Sequence, residues 1–509
     1  MPSGGCRALF PRPAATAYLP HMRRWLTSTS AVVALAALAA CTGSSAGSTS
    51  EPVATIRIGE LNIEYGGTVV DWDQTVAAAE ALDADVIAIE EAWGHIPRLA
   101  EAMGWPYYDV RRQIVSKLPL IHASGDPMEY LYVEVAPGQV VGLGNVHLAS
   151  GAYGPNRTRT GDAEQEVLIG ERRLRVPQIT PYAEAIAKLG EAGTPSFLAG
   201  DFNSPSQLDW TDATVDTRPQ IVYPVPWPVT ELLAQLGFTD SYRQVHPDPV
   251  ADPGLTWPSN RPPAKNGGWN PGKDAPEDRI DYVQSIGPAT AVASQVIGED
   301  AVSPWPSDHR GLVSTFRVTP AAPPDLVSAD QALSYVGDRL TLRAWAAAGT
   351  VATLTVNRAD GSVTKTADFT ENGGSVTFDT DRWLPGRYGV TLRDGSGRTV
   401  AGTVFWLAPA GGTPFLTVPA SVDVGDPIPV TWNDAPGNRW DWVGIYHRAA
   451  DPHVASYLLW SYTDASVEGR TVLDRHDVGR FPLPPGKYTA MLLVDDSYRP
   501  VASADFTIG

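Results

Sequence analysis

The sequence predicts an α+β unit followed by two all-β units, each a β-sandwich. Residues from about 53 to 318 alternate strand-like apolar runs with helical stretches, whereas only short alternating strands follow. Proline-rich seams at 319–324 and 409–414 separate these parts. At 509 residues the chain is long enough for several domains. We therefore expect domains at 53–318, 325–408 and 415–509.

The two C-terminal units carry related sequence. The stretch 384–388 (LPGRY) matches 484–488 (PPGKY), and an apolar strand follows each. The matching tyrosines, Tyr388 and Tyr488, suggest immunoglobulin-like sandwiches of similar plan. Several aromatic residues of the last unit have two open roles, a sugar or wall-polymer surface or the sandwich core, and we favour the core. They are Trp440, Trp442, Tyr446, Trp460 and Tyr462.

The N-terminus predicts an exported, lipid-anchored protein. Arg23 and Arg24 precede an apolar stretch, 31–40, that is too short to span a bilayer as a mature helix. Leu-Ala-Ala-Cys, which ends at Cys41, resembles a bacterial lipobox. We expect a signal peptide at 1–40, lipid on Cys41 and a flexible tether at 41–52, in the cell membrane on its extracytoplasmic side. The alternatives are a plain secretory signal and a start at Met22 rather than Met1.

The chain is strongly acidic, with a formal net charge of −19. Removing residues 1–40, which hold four arginines and no acidic residue, would change this charge to −23. Such a protein does not bind phosphodiester backbones by bulk charge, because that mode needs a basic face. The two cysteines, Cys6 and Cys41, precede the first expected strand, which excludes a structural disulfide, a thiolate metal site and a cysteine nucleophile from the folded units.

Short polar motifs follow apolar runs throughout the first unit. Polar side chains at the carboxyl ends of buried strands converge on one site, so we expect these motifs to meet. In chain order they are Leu61-Asn62-Ile63-Glu64, Ile89-Glu90-Glu91, Asn145-Val146-His147-Leu148, Gly200-Asp201-Phe202-Asn203, Thr256-Trp257, Arg279-Ile280-Asp281-Tyr282 and Ser307-Asp308-His309.

The residue types indicate a divalent-metal site. Mg²⁺ prefers oxygen ligands from carboxylates and amides, which Asn62, Glu91 and Asp308 supply. Glu90 and Glu91 are adjacent at one strand end, and either could be the ligand. Glu64, two residues after Asn62, is a weaker candidate.

The remaining polar residues indicate phosphate chemistry. Asp201 and Asn203 are two apart on an extended segment and point the same way, so one can orient a water while the other donates its amide to a phosphoryl oxygen. A histidine that acts on phosphate needs a carboxylate to fix its orientation, and Asp281 is the candidate partner of His309. His147 offers a second imidazole.

Jointly, these motifs resemble the endonuclease/exonuclease/phosphatase superfamily over about residues 55–316, and they occur in the family's order. The resemblance implies a four-layer α/β/β/α sandwich that hydrolyses phosphate esters by in-line water attack, with Mg²⁺ or Mn²⁺ as cofactor. It implies roles for nine residues: Asn62, Glu91, Asp308 and, more weakly, Glu64 at the metal, His147 and His309 on the phosphate, Asp201 and Asn203 at the water, and Asp281 behind His309.

The substrate is left open. The expected partner is a phosphodiester, with nucleic acid favoured, although the short stretch 91–116 leaves little room for a loop that reads a duplex groove. Arginines at 157–159 and 172–175 could meet phosphate or form a solvated helix face. A sphingomyelinase-like phospholipid hydrolase or a small-phosphoester phosphatase is the alternative. An inactive binding protein is a third reading, and the oligomeric state is unknown.

We predict that Cys41→Ala moves the protein from the membrane fraction to the medium. Acyl chains contribute about 0.8 kcal/mol per buried methylene, so their loss should release the chain. Fractionation of cells that express wild type or variant, followed by immunoblotting, measures this. An unchanged distribution would refute the anchor.

Overall fold

The computed structural model describes residues 53–264, 270, 272, 275–346, 352–358, 361, 363–369, 374–474 and 480–509. The expected signal peptide, lipidation site Cys41 and tether lie outside these residues. In the part that is described, no helix is long and apolar enough to cross a membrane.

The first unit alternates strands and helices. Its strands are β1 (Ala54–Asn62), β2 (Val86–Glu90), β3 (Tyr107–Asp109), β4 (Ile114–Ser116), β5 (Leu120–Ile121), β6 (Leu131–Ala136), β7 (Gln139–His147), β8 (Ser196–Asp201), β9 (Thr239–Asp240), β10 (Asp281–Ile286), β11 (Ala289–Ile297) and β12 (Gly311–Val318). Its helices are α1 (Glu64–Gly67), α2 (Trp72–Ala81), α3 (Ile96–Met103), α4 (Gly154–Arg159), α5 (Glu164–Leu174), α6 (Val176–Glu191), α7 (Asp212–Thr217), α8 (Pro228–Gln235) and α9 (Ser241–Val245).

Within the described residues of this unit, the strands form two sheets, with orders β11-β12-β1-β2-β4-β3 and β5-β6-β7-β8-β10-β9. The central strands are apolar on both faces because both faces are covered. Ile56 and Ile58 of β1 meet Phe197 and Val283 of the other sheet in the core between the sheets.

Helices cover both outer faces. Ala78 of α2 and Leu99 of α3 pack on one sheet. Ile179 and Ile186 of α6 pack on the other. This arrangement is the four-layer α/β/β/α sandwich, so the predicted fold class is confirmed.

The two C-terminal sandwiches have the same strand order, as the related sequences suggested. In the described residues, β13-β15-β18 faces β14-β20-β19-β16-β17, and β21-β23-β26 faces β22-β28-β27-β24-β25. The strands are β13 (Leu326–Ala329), β14 (Leu333–Tyr335), β15 (Arg339–Trp345), β16 (Ala352–Arg358), β17 (Val363–Phe369), β18 (Gly374–Asp379), β19 (Gly386–Arg393), β20 (Thr399–Ala408), β21 (Phe415–Thr417), β22 (Ser421–Val422), β23 (Ile428–Asn433), β24 (Trp442–His447), β25 (Leu459–Tyr462), β26 (Gly469–Leu473), β27 (Gly486–Leu493) and β28 (Pro500–Ile508).

The aromatic residues of the last sandwich divide between core and edge. Trp442, Tyr446 and Trp460 are buried, which fits the favoured core interpretation. Trp440 and Tyr462 are half-buried, with ring centroids 5.2 Å apart.

The paired tyrosines hold equivalent corners of the two sandwiches. Each is buried and donates its hydroxyl to the carbonyl four residues earlier, Tyr388 to Leu384 at 2.5 Å and Tyr488 to Pro484 at 2.7 Å. This tyrosine corner ties the preceding loop to the strand.

We predict that Tyr488→Phe lowers the stability of the last sandwich by about 1 kcal/mol, because the Pro484 carbonyl loses its hydroxyl donor. Calorimetry should show a lower Tm for one transition. Tyr335→Phe, at a tyrosine that is 37% exposed, is the control. Equal effects of the two substitutions would contradict a specific role for the corner.

Candidate active site

Three polar side chains lie side by side on neighbouring strands. His147 at the end of β7 pairs with Asp201 at the end of β8, and Asp201 pairs with Asp281 on β10. Gly200 makes this close approach possible, since its φ is +135° and a Cβ there would lie 1.9 Å from the Val146 carbonyl oxygen. The sequence therefore brings these groups together through strand register.

One expectation about strand direction was wrong. β10 runs antiparallel to β8, so Asp281 opens its strand rather than closing it. Asp308 and His309 lie in the loop before β12. Apolar runs do lie near these residues. Because β10 is antiparallel to β8, however, its first residue and not its last lies at the edge of the sheet where the site is.

Asp201 is the centre of the polar network. Its carboxylate is buried and accepts hydrogen bonds from Asn62 Nδ2 at 3.2 Å, from Asn203 N at 2.8 Å and from Asn203 Nδ2 at 2.9 Å. His147 Nε2 lies 3.4 Å from Asp201 Oδ2, and His309 Nε2 lies 3.7 Å from the same atom. Burial raises the pKa of Asp201, but the two imidazoles and the Asn203 amide outweigh it and lower that pKa overall.

Asn203 holds Asp201 instead of pointing to a substrate. Its side-chain nitrogen donates to Asp201 and also to the Leu148 carbonyl at 3.1 Å. Both amide hydrogens are thereby used, so the expectation that Asn203 donates to a phosphoryl oxygen is corrected. The side chain orients the carboxylate beside it.

His309 is held by Asp281 as the motif spacing suggested. Its Nδ1 lies 3.0 Å and 3.1 Å from the two carboxylate oxygens. Burial lowers the pKa of His309, but Asp281 and Asp201 raise it well above its ordinary value. The two carboxylates therefore favour the protonated form of this imidazole.

A second group of carboxylate oxygens lies beside the histidines, with Glu91 Oε1 4.0 Å from His147 Nε2 and Asp308 Oδ1 3.9 Å from His309 Nε2. Glu91 accepts from Asn62 Nδ2 at 3.3 Å and from Tyr65 N at 2.9 Å. Asp308 accepts from Trp257 Nε1 at 3.1 Å. Burial raises the pKa of Asp308, and the neighbouring Glu91 raises it further against the opposing effect of His309.

Glu64 is engaged by an arginine that the sequence did not single out. Both of its carboxylate oxygens accept from Arg261, and Asp308 N donates to one of them at 3.0 Å. Charge-assisted bidentate pairs of this kind are strong. Glu64 therefore anchors the edge of the site and is a poorer metal ligand than expected. Beside Arg261 lies a cavity of about 390 Å³, which Ser259 and Arg310 also line.

Glu90 and Glu91 occupy different environments. Glu91 reaches Asn62, whereas Glu90 is completely buried beside Glu60, and burial raises the pKa of Glu90 to about 8. Burial and nearby carboxylates also raise the pKa of Glu60. Glu60 was missed, although its position two residues before Asn62 places both side chains on one face of β1.

Three of the arginines at 157–159 and 172–175 form internal ion pairs. Arg157 pairs with Asp162, and Arg159 pairs with the buried Asp278 at 2.9 Å. Arg175 is buried against Glu171. Arg279, from the motif before Asp281, is buried between Asp209 and Asp240. Arg172 and Arg173 are exposed on α5.

Around the site, five of the described residues other than glycine have a positive φ. Positive φ in a residue other than glycine is uncommon and costly. Residues in this conformation around the site, with φ between 47° and 53°, are Glu64, Tyr65, Glu91, Trp93 and Asn203. Conformations of this kind persist only where surrounding contacts enforce them.

Two cation positions are chemically distinct. One ligand atom each from Asp201, Asp281 and His309 lie within 4.8 Å of one another. The raised pKa of His309 favours its protonated form, which offsets the charge of those carboxylates. Glu91 and Asp308 offer the carboxylate oxygens that suit a hard divalent ion, and Asn62 turns its amide nitrogen toward Glu91.

The fold is a four-layer α/β/β/α sandwich. No family model matches the chain. An uncharacterised protein of Caenorhabditis elegans is 29% identical over 290 residues, which are 51% of this chain and 91% of the relative.

The chain is similar to three solved structures, two of which are described as endonuclease/exonuclease/phosphatase proteins. An endonuclease/exonuclease/phosphatase from Beutenbergia cavernae is 20% identical, covers 69% of this chain and 100% of its own, and has a TM-score of 0.31. A family protein from Leptotrichia buccalis is 17% identical, with 51% and 99% covered and a TM-score of 0.30. The inositol polyphosphate 5-phosphatase domain of a synaptojanin is 12% identical, with 52% and 85% covered and a TM-score of 0.27.

We predict that Mn²⁺ raises the Tm of the wild type and that Glu91→Gln abolishes this shift. Like charges about 4 Å apart repel by roughly 4 kcal/mol at an effective dielectric of 20, so a bound cation relieves the acidic cluster. Thermal unfolding with millimolar Mn²⁺ or chelator measures the shift. Glu101→Gln, on the exposed face of α3, is the control. Retention of the full shift in Glu91→Gln would reject Glu91 as a ligand.

Proposed function

We propose that this chain is a divalent-metal-dependent phosphoric ester hydrolase that acts on phosphodiesters. The observation that carries the proposal is the His309–Asp281 pair set against Asp201, with Nε2 of His309 3.7 Å from Asp201 Oδ2. Two imidazoles and an ordered carboxylate beside an oxygen-rich cluster fit phosphoryl transfer to water. The residues offer neither a glycine-rich phosphate loop nor a serine nucleophile elbow.

Asn62, Glu91 and Asp308 would hold Mg²⁺ or Mn²⁺, which when bound neutralises charge on the phosphoryl oxygens. Glu91 and Asp308 fit, because they present carboxylate oxygens within one acidic cluster. Asn62 turns its amide nitrogen toward Glu91 and Asp201 while its Oδ1 accepts from Glu64 N at 3.0 Å, so its oxygen would reach a bound ion only after the amide is reversed.

The protein's own residues perform the remaining steps. Asp201, fixed by Asn203, accepts a hydrogen bond from the attacking water and orients it for in-line attack on phosphorus. His309 donates from Nε2 to a phosphoryl oxygen, while Asp281 keeps Nδ1 protonated. His147 stabilises the same developing charge from the neighbouring strand. The P–O bond to the water oxygen forms as the P–O bond to the leaving group breaks, without a covalent enzyme intermediate; the proton of the water passes to Asp201, and the leaving oxygen takes a proton from solvent.

We favour single-stranded nucleic acid as the substrate. Tyr65 and Trp93 stand beside Glu91 with ring centroids 5.1 Å apart, and both are half-buried. Aromatic side chains at such a rim can stack bases at roughly 1–3 kcal/mol each. The internal pairing of Arg157 and Arg159 supports the second candidate, a phospholipid or small phosphoester, because it removes the basic track that a long polyanion would use.

Lipid anchoring through Cys41 is part of the proposal. An enzyme tethered at the outer face of the cell membrane would meet extracellular nucleic acid or lipid phosphoesters. The C-terminal sandwiches would then act as spacers or bind wall polymer.

We predict that His309→Ala lowers kcat by about 10² to 10⁴, because it removes a donor used chiefly in the transition state, while KM changes far less. Asp281→Asn should lose a similar factor, and the double variant should be little worse than either single one. Single-turnover hydrolysis measures these rates. His453→Ala, at an exposed position of the last sandwich, is the control, and full activity of His309→Ala would refute the mechanism.

The same assay assigns the substrate class. Single-stranded DNA, plasmid DNA, sphingomyelin and bis-p-nitrophenyl phosphate are compared with and without chelator. Hydrolysis of sphingomyelin and not of DNA would replace the nuclease proposal with the phospholipid one. Inactivity on all of them would favour the inactive binding protein.

A further inference from the structure

A loop of the last sandwich reaches the site end of the first unit. Arg439 is buried there, and its Nη1 donates to the Asn145 carbonyl at 2.9 Å while its Nη2 donates to the Tyr182 hydroxyl at 2.5 Å. Its guanidinium carbon also lies 5.2 Å from the ring centroid of Tyr182 and 4.7 Å from that of Trp440. The contact joins residues almost 300 positions apart.

Asn145 is a junction between the two sheets. Its side-chain nitrogen donates to the carbonyls of Ile89 at 3.0 Å and of Arg112 at 3.1 Å. Ile89 lies on β2 and Arg112 between β3 and β4, all strands of the sheet that does not contain β7. His147 follows two residues later on the same strand. Arg439 therefore fixes the backbone of β7 two residues before His147.

Asp495 holds the other side of the site. It is buried, and its Oδ2 accepts from Gly94 N and from Gln113 Nε2, both at 2.8 Å. A Cβ on Gly94 would lie 2.5 Å from Val494 Cγ1, so the two loops are in tight contact. The backbone carbonyl of Gln113 in turn accepts a hydrogen bond from Ile89 N.

The segment that Asp495 holds is strained. Glu91, Trp93 and Gly94 have φ values of 53°, 49° and 78°. A turn in which two residues other than glycine have positive φ is energetically unfavourable by itself, so contacts with other segments must stabilise it. Tyr65 N and Gly66 N bind Glu91 from one side, and Asp495 binds Gly94 from the other.

We propose that Arg439 and Asp495 are positioning residues of the hydrolytic site, so that the last sandwich is a working part of the catalytic unit. Arg439 sets the position of His147 through the Asn145 carbonyl, and Asp495 sets that of Glu91 through Gly94. This inference rests on the proposed function.

The test uses the full-length protein with isosteric variants and a matched control pair. Arg439→Met and Asp495→Leu remove the contacts. Arg448→Met and Asp505→Leu break an ion pair of 3.2 Å in the same sandwich, between residues that lie about ten positions along the chain from Arg439 and Asp495. Arg439→Lys keeps the charge and one donor. Hydrolysis of bis-p-nitrophenyl phosphate and binding of Mn²⁺, followed by electron paramagnetic resonance, are measured below each variant's unfolding transition.

For Arg439→Met we expect a fall in kcat of about 10- to 100-fold with KM changed less than threefold, because a misplacement of about 1 Å near the reacting groups costs this much. Arg439→Lys should recover part of the loss. For Asp495→Leu we expect Mn²⁺ affinity to fall by about 10- to 100-fold, as for other groups that orient ligands. A purely structural role would lower Tm and leave both quantities unchanged.

Each residue is judged on its own measurement. A kcat for Arg439→Met within threefold of Arg448→Met overturns the role of Arg439, and a larger fall supports it. A Mn²⁺ affinity for Asp495→Leu within threefold of Asp505→Leu overturns the role of Asp495. If Arg439→Met does not fold, Arg439→Gln, whose side chain is too short to reach the Asn145 carbonyl, decides by the same threshold. Failure of the proposed function is distinguishable, because a wild type that hydrolyses no substrate would still report the Asp495 effect through Mn²⁺.

Discussion

The buried carboxylate of Asp201 is the group on which the rest of the site depends. It accepts hydrogen bonds from Asn62 and Asn203 and lies against both imidazoles. An isolated carboxylate in this position would pay a large desolvation cost, so its partners must all be present together. The requirement explains why polar residues from five segments meet at one point.

The site has more acidic than basic side chains, which favours the binding of a cation. Glu91, Asp308 and Asp281 join Asp201 in a small volume, while Arg261 is committed to Glu64. Glu60 and Glu90 add two acidic side chains beneath, where burial keeps their pKa values high. The raised pKa values favour protonation of Glu60 and Glu90, which lowers the repulsion between them. His309 and a divalent ion would offset the negative charge of the other four carboxylates.

The last sandwich changes how the first unit is understood. A β-sandwich after a catalytic domain is commonly a spacer, but here its loops bond to Asn145, Gly94 and Gln113. These contacts fall on segments that directly adjoin His147 and Glu91. Because packed interfaces transmit small displacements, the sandwich can influence geometry at the site without touching a substrate.

Much of the fold was predictable from local sequence. Apolar alternation located the core strands, and the 384–388 and 484–488 repeats indicated two sandwiches of one plan, since strand periodicity and corner tyrosines are local signals. Asp281 was correctly paired with His309 because a phosphate-binding imidazole needs an orienting carboxylate. Strand direction was not predictable in the same way, as the antiparallel placement of β10 shows.

The sequence by itself determined which chemical groups are available, namely two imidazoles, their carboxylate partners and an oxygen-rich set suited to a hard metal. Only the tertiary structure decided how each group is used. It assigned Glu64 to Arg261, separated Glu90 from Glu91 and paired Arg157, Arg159 and Arg175 internally. The physical reason is that ion pairing and desolvation depend on neighbours distant in the chain, such as Arg261 beside Glu64 or Arg439 beside Asn145.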